Sequence, residues 1–425
     1  MQPSLLKRFS SWSISPTGTA VHALGITQIV AWGTTLYALG VLGRPITTDT
    51  GWSTTVVFGG LTVGLLVAGL TSTWIGRLID KRGARATMTI GAVLNAICLA
   101  ALSLVSDPIA YLAVWALLGI AMRLTLYDAA FAALVQVTPQ NGRRAISYLT
   151  LYGGLASTLF WPLGYYLNDA FGWRETCLIF GLFNLFACAP LNWWGLARNE
   201  PAPDLLDKAA PENQSKELGI VTQPPLEGRA RLMAIVLFSI ATSAYAFIFG
   251  AASVHLVGVI EASGITAALA VQVASIKGVA QVGGRAWEII FARNMTPINL
   301  ARVPVWLMPV ALAVLLTFSA GLVPALLFTV LFGAANGLIT IVRGALPLAM
   351  FGIKGYGEIL GVLATPYLLI NALSPAVFAI VIDWGGYLAG QWLLLAAALL
   401  SVAAMETMTA WYRGHNANSD PKQPR

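Results

Sequence analysis

Four ionisable side chains stand inside long apolar runs: Arg123 and Asp128 in one run, Lys277 and Arg343 in two others. Each lies about eight or more residues from the nearest run end, which at about 1.5 Å rise per helical residue is about 12 Å of depth. A charge so deep costs roughly 2.5–3.5 kcal/mol on insertion scales and is kept where it faces a bundle interior or a water-filled path. Three cations against one acid leave a net positive lining that attracts an anion, and guanidinium forks suit a carboxylate or phosphate. Arg123, Lys277 and Arg343 are therefore candidate contacts for an anionic solute; the alternative for each is an intramembrane ion pair with Asp128 or a long side chain reaching back to the membrane face.

Asp128 is the one acid deep within a run, which makes it the candidate proton relay. On an unbroken helix Arg123 and Tyr127, four apart, share a face, whereas Asp128 is turned about 140° away from Arg123. Its expected partner therefore lies on another run, with Arg343 the candidate. Aromatic residues that could stack on a solute or gate its exit include Tyr127, Tyr152 and Trp161; the same residue types also pack helices or form an interfacial belt.

Other reactive groups are sparse. Cys98, Cys177 and Cys188 fall inside apolar runs, where no disulfide framework or metal pair is legible. Cys177 and Cys188, eleven apart, would lie nearly on one helix face and could meet a thiol-seeking metalloid. His22, His255 and His415 form no metal or catalytic constellation, and no glycine loop of the ATP-binding kind is present. No enzyme, cofactor or metal is expected.

The elements that must carry these residues are membrane helices. Of 425 residues, 57% are hydrophobic and 10% charged, against about 25% charged in a soluble domain. Unbroken apolar runs lie near 18–43, 52–76, 86–105, 108–137, 143–170 and 174–197, then near 231–260, 265–289, 298–318, 322–351, 355–383 and 387–412. Each approaches or exceeds the about 20 residues a crossing needs, and none alternates as a barrel strand would. The expected fold is all-α, with twelve transmembrane helices. Residues 1–17 form an N-terminal arm, 18–197 and 231–412 two six-helix bundles, 198–230 a proline-containing linker, and 413–425 a tail.

Of the 25 Lys and Arg, Arg44 and Arg174 fall outside, Arg123, Lys277 and Arg343 fall within runs, and the others share the side of the N-terminus. That side is the cytoplasm, by the positive-inside rule. The rule also accounts for the net charge of +7, so no nucleic-acid partner is required. An internal repeat relates the halves: Gly76-Arg77-Leu78-Ile79-Asp80 recurs as Gly284-Arg285-Ala286-Trp287-Glu288, and Trp161-Pro162 with Asp169 answers Ser374-Pro375 with Asp383.

The run Gly76-Arg77-Leu78-Ile79-Asp80-Lys81-Arg82-Gly83-Ala84-Arg85 resembles the signature loop of the major facilitator superfamily, G-x-L-x-D-R-x-G-R-[KR]. Gly76, Leu78, Asp80, Gly83 and Arg85 match, and Ala84 departs. The resemblance implies a secondary transporter with a midplane site lined by spans one, four, seven and ten, which would place Arg123 and Arg343 on opposite walls. Lys277 resembles, by its span, the cation of superfamily carboxylate carriers. The resemblance further implies that Asp80 meets the start of span eleven near Gly355, with Arg77 and Arg85 relaying charge, and that Arg285 and Glu288 mirror this against span five.

Pro162 and Gly164 answer part of the superfamily's antiporter signature, and Trp115 stands where drug/proton antiporters place an arginine. The function expected is proton-coupled transport of a small anionic organic solute by alternating access, with efflux of drugs or metalloids as the alternative. The setting expected is a monomer in the lipid bilayer of a bacterial inner membrane, with the small-molecule substrate as its partner.

Overall fold

The computed structural model describes residues 15–198, 225–292, 294–318 and 321–419. Most of the arm at 1–17 and of the linker at 198–230 lies outside the described residues, as does the tail beyond residue 419, whereas 413–419 continue the last helix.

All regular structure among the described residues is helical. The helices are α1 (Pro16–Thr34), α2 (Ala38–Thr50), α3 (Thr54–Arg82), α4 (Ala84–Leu104), α5 (Pro108–Thr125), α6 (Tyr127–Val137), α7 (Gly142–Gly154), α8 (Ala156–Phe171) and α9 (Trp173–Phe183). A π turn at Asn184–Cys188 leads into α10 (Ala189–Gly195). Then follow α11 (Gly228–Glu261), α12 (Ala267–Phe291), α13 (Pro297–Thr317), α14 (Leu322–Phe351) and α15 (Tyr356–Ser419).

Local chemistry sets the helix ends. Ser53 caps α3 by accepting from the Val56 N–H. Asp107 accepts from the N–H groups of Ile109 and Ala110 ahead of Pro108, so orphan donors are satisfied and proline sits where it loses no bond. Gly83, at φ +82°, is the sole residue between α3 and α4. A left-handed backbone there favours glycine, and one residue suffices to turn the chain. The signature run is therefore mostly helix rather than loop.

Nine segments among the described residues are long and apolar enough to cross a membrane, against twelve expected runs. Each difference has a physical cause. Run 143–170 is interrupted at Leu155 and gives α7 and α8, of 13 and 16 residues. Run 265–289 becomes α12, whose apolar content Gln272, Lys277 and Gln281 dilute. Runs 355–383 and 387–412 form one continuous segment broken only at Gly386, which is non-helical at φ 70°.

The chain divides into two compact units, residues 1–222 with 353–365 and residues 223–352 with 366–425. In the first, α3 packs on α5 with Gly64 against Gly119 and Gly60 against the Trp115 ring. In the second, α12 packs on α14 with Gly333 against Lys277, Gly337 against Gln281 and Gly284 against Ala334. Small residues let helix backbones approach where lipid supplies no hydrophobic drive between them. The expected bundles 18–197 and 231–412 differ from these units in the segment 353–365, which groups with the first.

Candidate functional site

The buried charges of the first unit meet at a helix break. Leu126 is extended (φ −78°, ψ −172°) and separates α5 from α6. Arg123 thus sits in the last turn of one helix and Asp128 in the first turn of the next, where the respective helix dipoles favour a cation and an anion. Arg123 Nη1 donates to Asp128 Oδ2 at 2.7 Å, and the two side chains are 4% and 12% exposed. The helical-wheel expectation that Asp128 turns away from Arg123 therefore fails, because 100° per residue does not hold across Leu126. Tyr127, beside the break, stacks on Phe131 with ring centroids 5.3 Å apart and lies 5.0 Å from Trp32.

A second cluster lies at the end of α3. Asp80 Oδ1 accepts from the Gly357 N–H at 3.0 Å, and Oδ2 from the Glu358 N–H at 2.8 Å. A carboxylate on the free N–H groups at the start of α15 is favoured by hydrogen bonding and by the dipole. Arg77 Nε donates to Glu358 Oε1 at 2.9 Å. Gly76 lies so close to the Gly357 carbonyl that no Cβ fits between them. Arg85 is engaged elsewhere: its Nε donates to the Trp193 carbonyl at 2.6 Å and its guanidinium lies 4.0 Å over the Trp193 ring. Asp80→Ala is expected to lower stability by about 1–2 kcal/mol, the worth of a helix cap. Thermal unfolding in detergent measures this, and an unshifted midpoint would count against the cap.

In the second unit, Lys277 Nζ lies 5.3 Å from the ring centroids of both Phe249 on α11 and Phe332 on α14. The ring faces attract an ammonium but leave its three N–H donors unused, and among the described residues no hydrogen bond or ion pair of Lys277 is seen. Arg343 on α14 stacks 3.7 Å over the Tyr367 ring. Arg285 and Glu288, three apart on α12, are both buried, and Arg285 Nη2 donates to Thr340 Oγ1 at 3.5 Å.

The remaining candidates scatter. Tyr152 hydrogen-bonds His22 Nδ1 at 2.6 Å and fills the space over Gly25. Trp161 is half exposed, edge-on to Tyr37 with centroids 6.4 Å apart. The three cysteines are free and buried. The π turn at Asn184–Cys188 ends on Cys188, so the regular step from Cys177 that would align the two is interrupted. Sequence reasoning missed Glu358, Phe249, Phe332 and Tyr367. Of these only Glu358 carried a signal, through the glycines at 352 and 355 that precede a helix start.

The sequence matches the family described as Major Facilitator Superfamily over residues 23–325. No curated protein matches it. Among solved structures, the human organic anion transporter MFSD10 (TETRAN) is similar with a TM-score of 0.69 at 16% identity, covering 92% of this chain and 100% of that one. The proton:xylose symporter XylE bound to 6-bromo-6-deoxy-D-glucose gives 0.69 at 14% identity, covering 94% and 96%. A variant of the E. coli fucose:proton symporter FucP gives 0.65 at 13% identity, covering 93% and 98%. At these identities the likeness is one of fold.

Proposed function

The chain belongs to the major facilitator superfamily of membrane transporters, and from that premise we propose that it is a proton-coupled secondary carrier of a small anionic organic solute. It crosses the bilayer twelve times with both termini in the cytoplasm, a reading supported by the one-sided placement of Lys and Arg. The neighbours in fold include an organic anion transporter and symporters of two sugars, so this architecture admits charged and neutral solutes alike.

Lys277 favours a charged solute. Its ammonium sits between Phe249 and Phe332 with no carboxylate partner among the described residues, and a solute that brings its own carboxylate would supply an acceptor and counter-charge. Arg343, stacked on Tyr367 in the same unit, is a second cationic contact. Arg123 contributes through Asp128, whose protonation would release the pair and couple proton movement to the change of access.

The test is uptake into proteoliposomes under an imposed pH gradient, offering lactate, succinate, citrate, benzoate and xylose. At least one carboxylate is expected to accumulate. Lys277→Gln should lower kcat/KM for it about 10–100-fold, the worth of a hydrogen bond from a charged donor at 1.5–3 kcal/mol. Uptake of xylose with no carboxylate carried would overturn the anionic reading.

A further inference from the structure

The Arg123–Asp128 pair exists because the helix stops for one residue at Leu126, and nothing in Leu124-Thr125-Leu126-Tyr127 is a helix breaker. No glycine or proline lies within the stop, so its geometry must be imposed from outside. Two buried amides from other helices supply it. Gln28 on α1 donates from Nε2 to the Thr125 carbonyl at 2.7 Å, an acceptor whose helical donor would have been the Ala129 N–H. Gln28 Oε1 accepts from Trp32 Nε1 at 3.2 Å, which fixes the amide's orientation. The Trp32 ring in turn lies 5.0 Å from Tyr127, so α1 grips both sides of the break. From α4, Asn95 Nδ2 donates to Thr125 Oγ1 at 3.0 Å, while that hydroxyl donates to the Ala121 carbonyl.

These amides are costly to keep. Gln28 and Asn95 are both fully buried, and Asn95 Oδ1 has no hydrogen-bond partner among the described residues. A buried polar atom left unmatched destabilises a fold, so packing alone does not account for Asn95. Among the described residues its side-chain hydrogen bond goes to Thr125, beside the break.

We infer that Gln28 and Asn95 are positioning residues that hold the α5–α6 break open so that Arg123 and Asp128 meet as an ion pair. Their contribution to coupling rests on the reading of Asp128 as the proton relay; the geometric claim does not. Without the Gln28 donor, the Thr125 carbonyl recovers a helical partner if the chain rewinds, and rewinding turns Asp128 about 140° from Arg123.

The experiment is a double-mutant cycle on the full chain in detergent, which needs no solute. Gln28→Met keeps length and removes the donor. It is expected to lower the thermal midpoint by roughly 2–4 °C, and by less than half as much when Asp128→Asn is already present, since both act on one pair. Amide hydrogen exchange over residues 123–130 should change by about tenfold in Gln28→Met. Asn95→Leu, similar in size, should couple to Asp128→Asn in the same way. Equal losses in both backgrounds, or exchange at 123–130 unchanged from wild type, would overturn the proposal. Failure of the wild type to carry any carboxylate under a pH gradient would sink the proton-coupled anion reading and leave this cycle to decide the positioning claim on its own.

Discussion

Asp128→Asn is expected to abolish accumulation driven by a pH gradient while solute exchange across the membrane persists. Asparagine keeps the size of aspartate and can still accept from Arg123, but it cannot bind and release a proton at the pH of transport. On the proton-coupled reading proposed above, exchange needs only a change of access while loaded and no net proton movement, so the two activities separate. The variant also removes the Asp128 charge from the Arg123 guanidinium, which is 4% exposed. Removing one member of a buried pair costs about 3–5 kcal/mol. The double variant Arg123→Gln with Asp128→Asn should regain much of that stability, because two neutral amides can hydrogen-bond in the same space. Uptake, counterflow and thermal unfolding together read the result. Loss of exchange in step with accumulation would mark Asp128 as structural, and a double variant no more stable than the single one would deny the pairing.

Gly76→Val is expected to be the most disruptive single change at the α3–α15 contact. A Cβ at residue 76 would meet the carbonyl of Gly357 and the Cα of Glu358, both backbone atoms. Overpacking by side chains alone costs about 1–3 kcal/mol, and backbone has no rotamer with which to yield. Valine must therefore push the start of α15 away, which breaks the two bonds from Asp80 and the Arg77–Glu358 contact together. Transport should fall at least tenfold, and protection of the 353–365 backbone from hydrogen exchange should fall with it. Gly76→Ala should show the same effects more weakly. Wild-type transport and protection in Gly76→Val would show that the close approach is dispensable.

What was legible in the sequence is what depends on local pattern. Apolar run length revealed the helices, because each crossing must satisfy its backbone internally, and Asp80 stood out through the signature run at 76–85. The misreadings came where tertiary contacts override the local rule. The turn of 100° per residue misplaced Asp128 because Leu126 leaves the helix without a glycine or proline to announce it. Arg85 lies in the signature run, yet its guanidinium goes to Trp193, 108 residues away in sequence. The partner of Arg77, Glu358, lies 281 residues away, and no period or motif links positions so distant. The aromatic pair around Lys277 comes from two different helices, α11 and α14, and is visible only once they pack.

Residues 353–365 complete the first unit although more than a hundred residues separate them from the rest of it. A ribosome that has just finished residue 222 has not yet made the segment that receives the Asp80 carboxylate or covers Gly76. The nascent first unit must wait in the bilayer, unfinished on that side, until most of the second has been synthesised. Cutting the gene at the linker and expressing the first fragment alone would make that waiting state permanent.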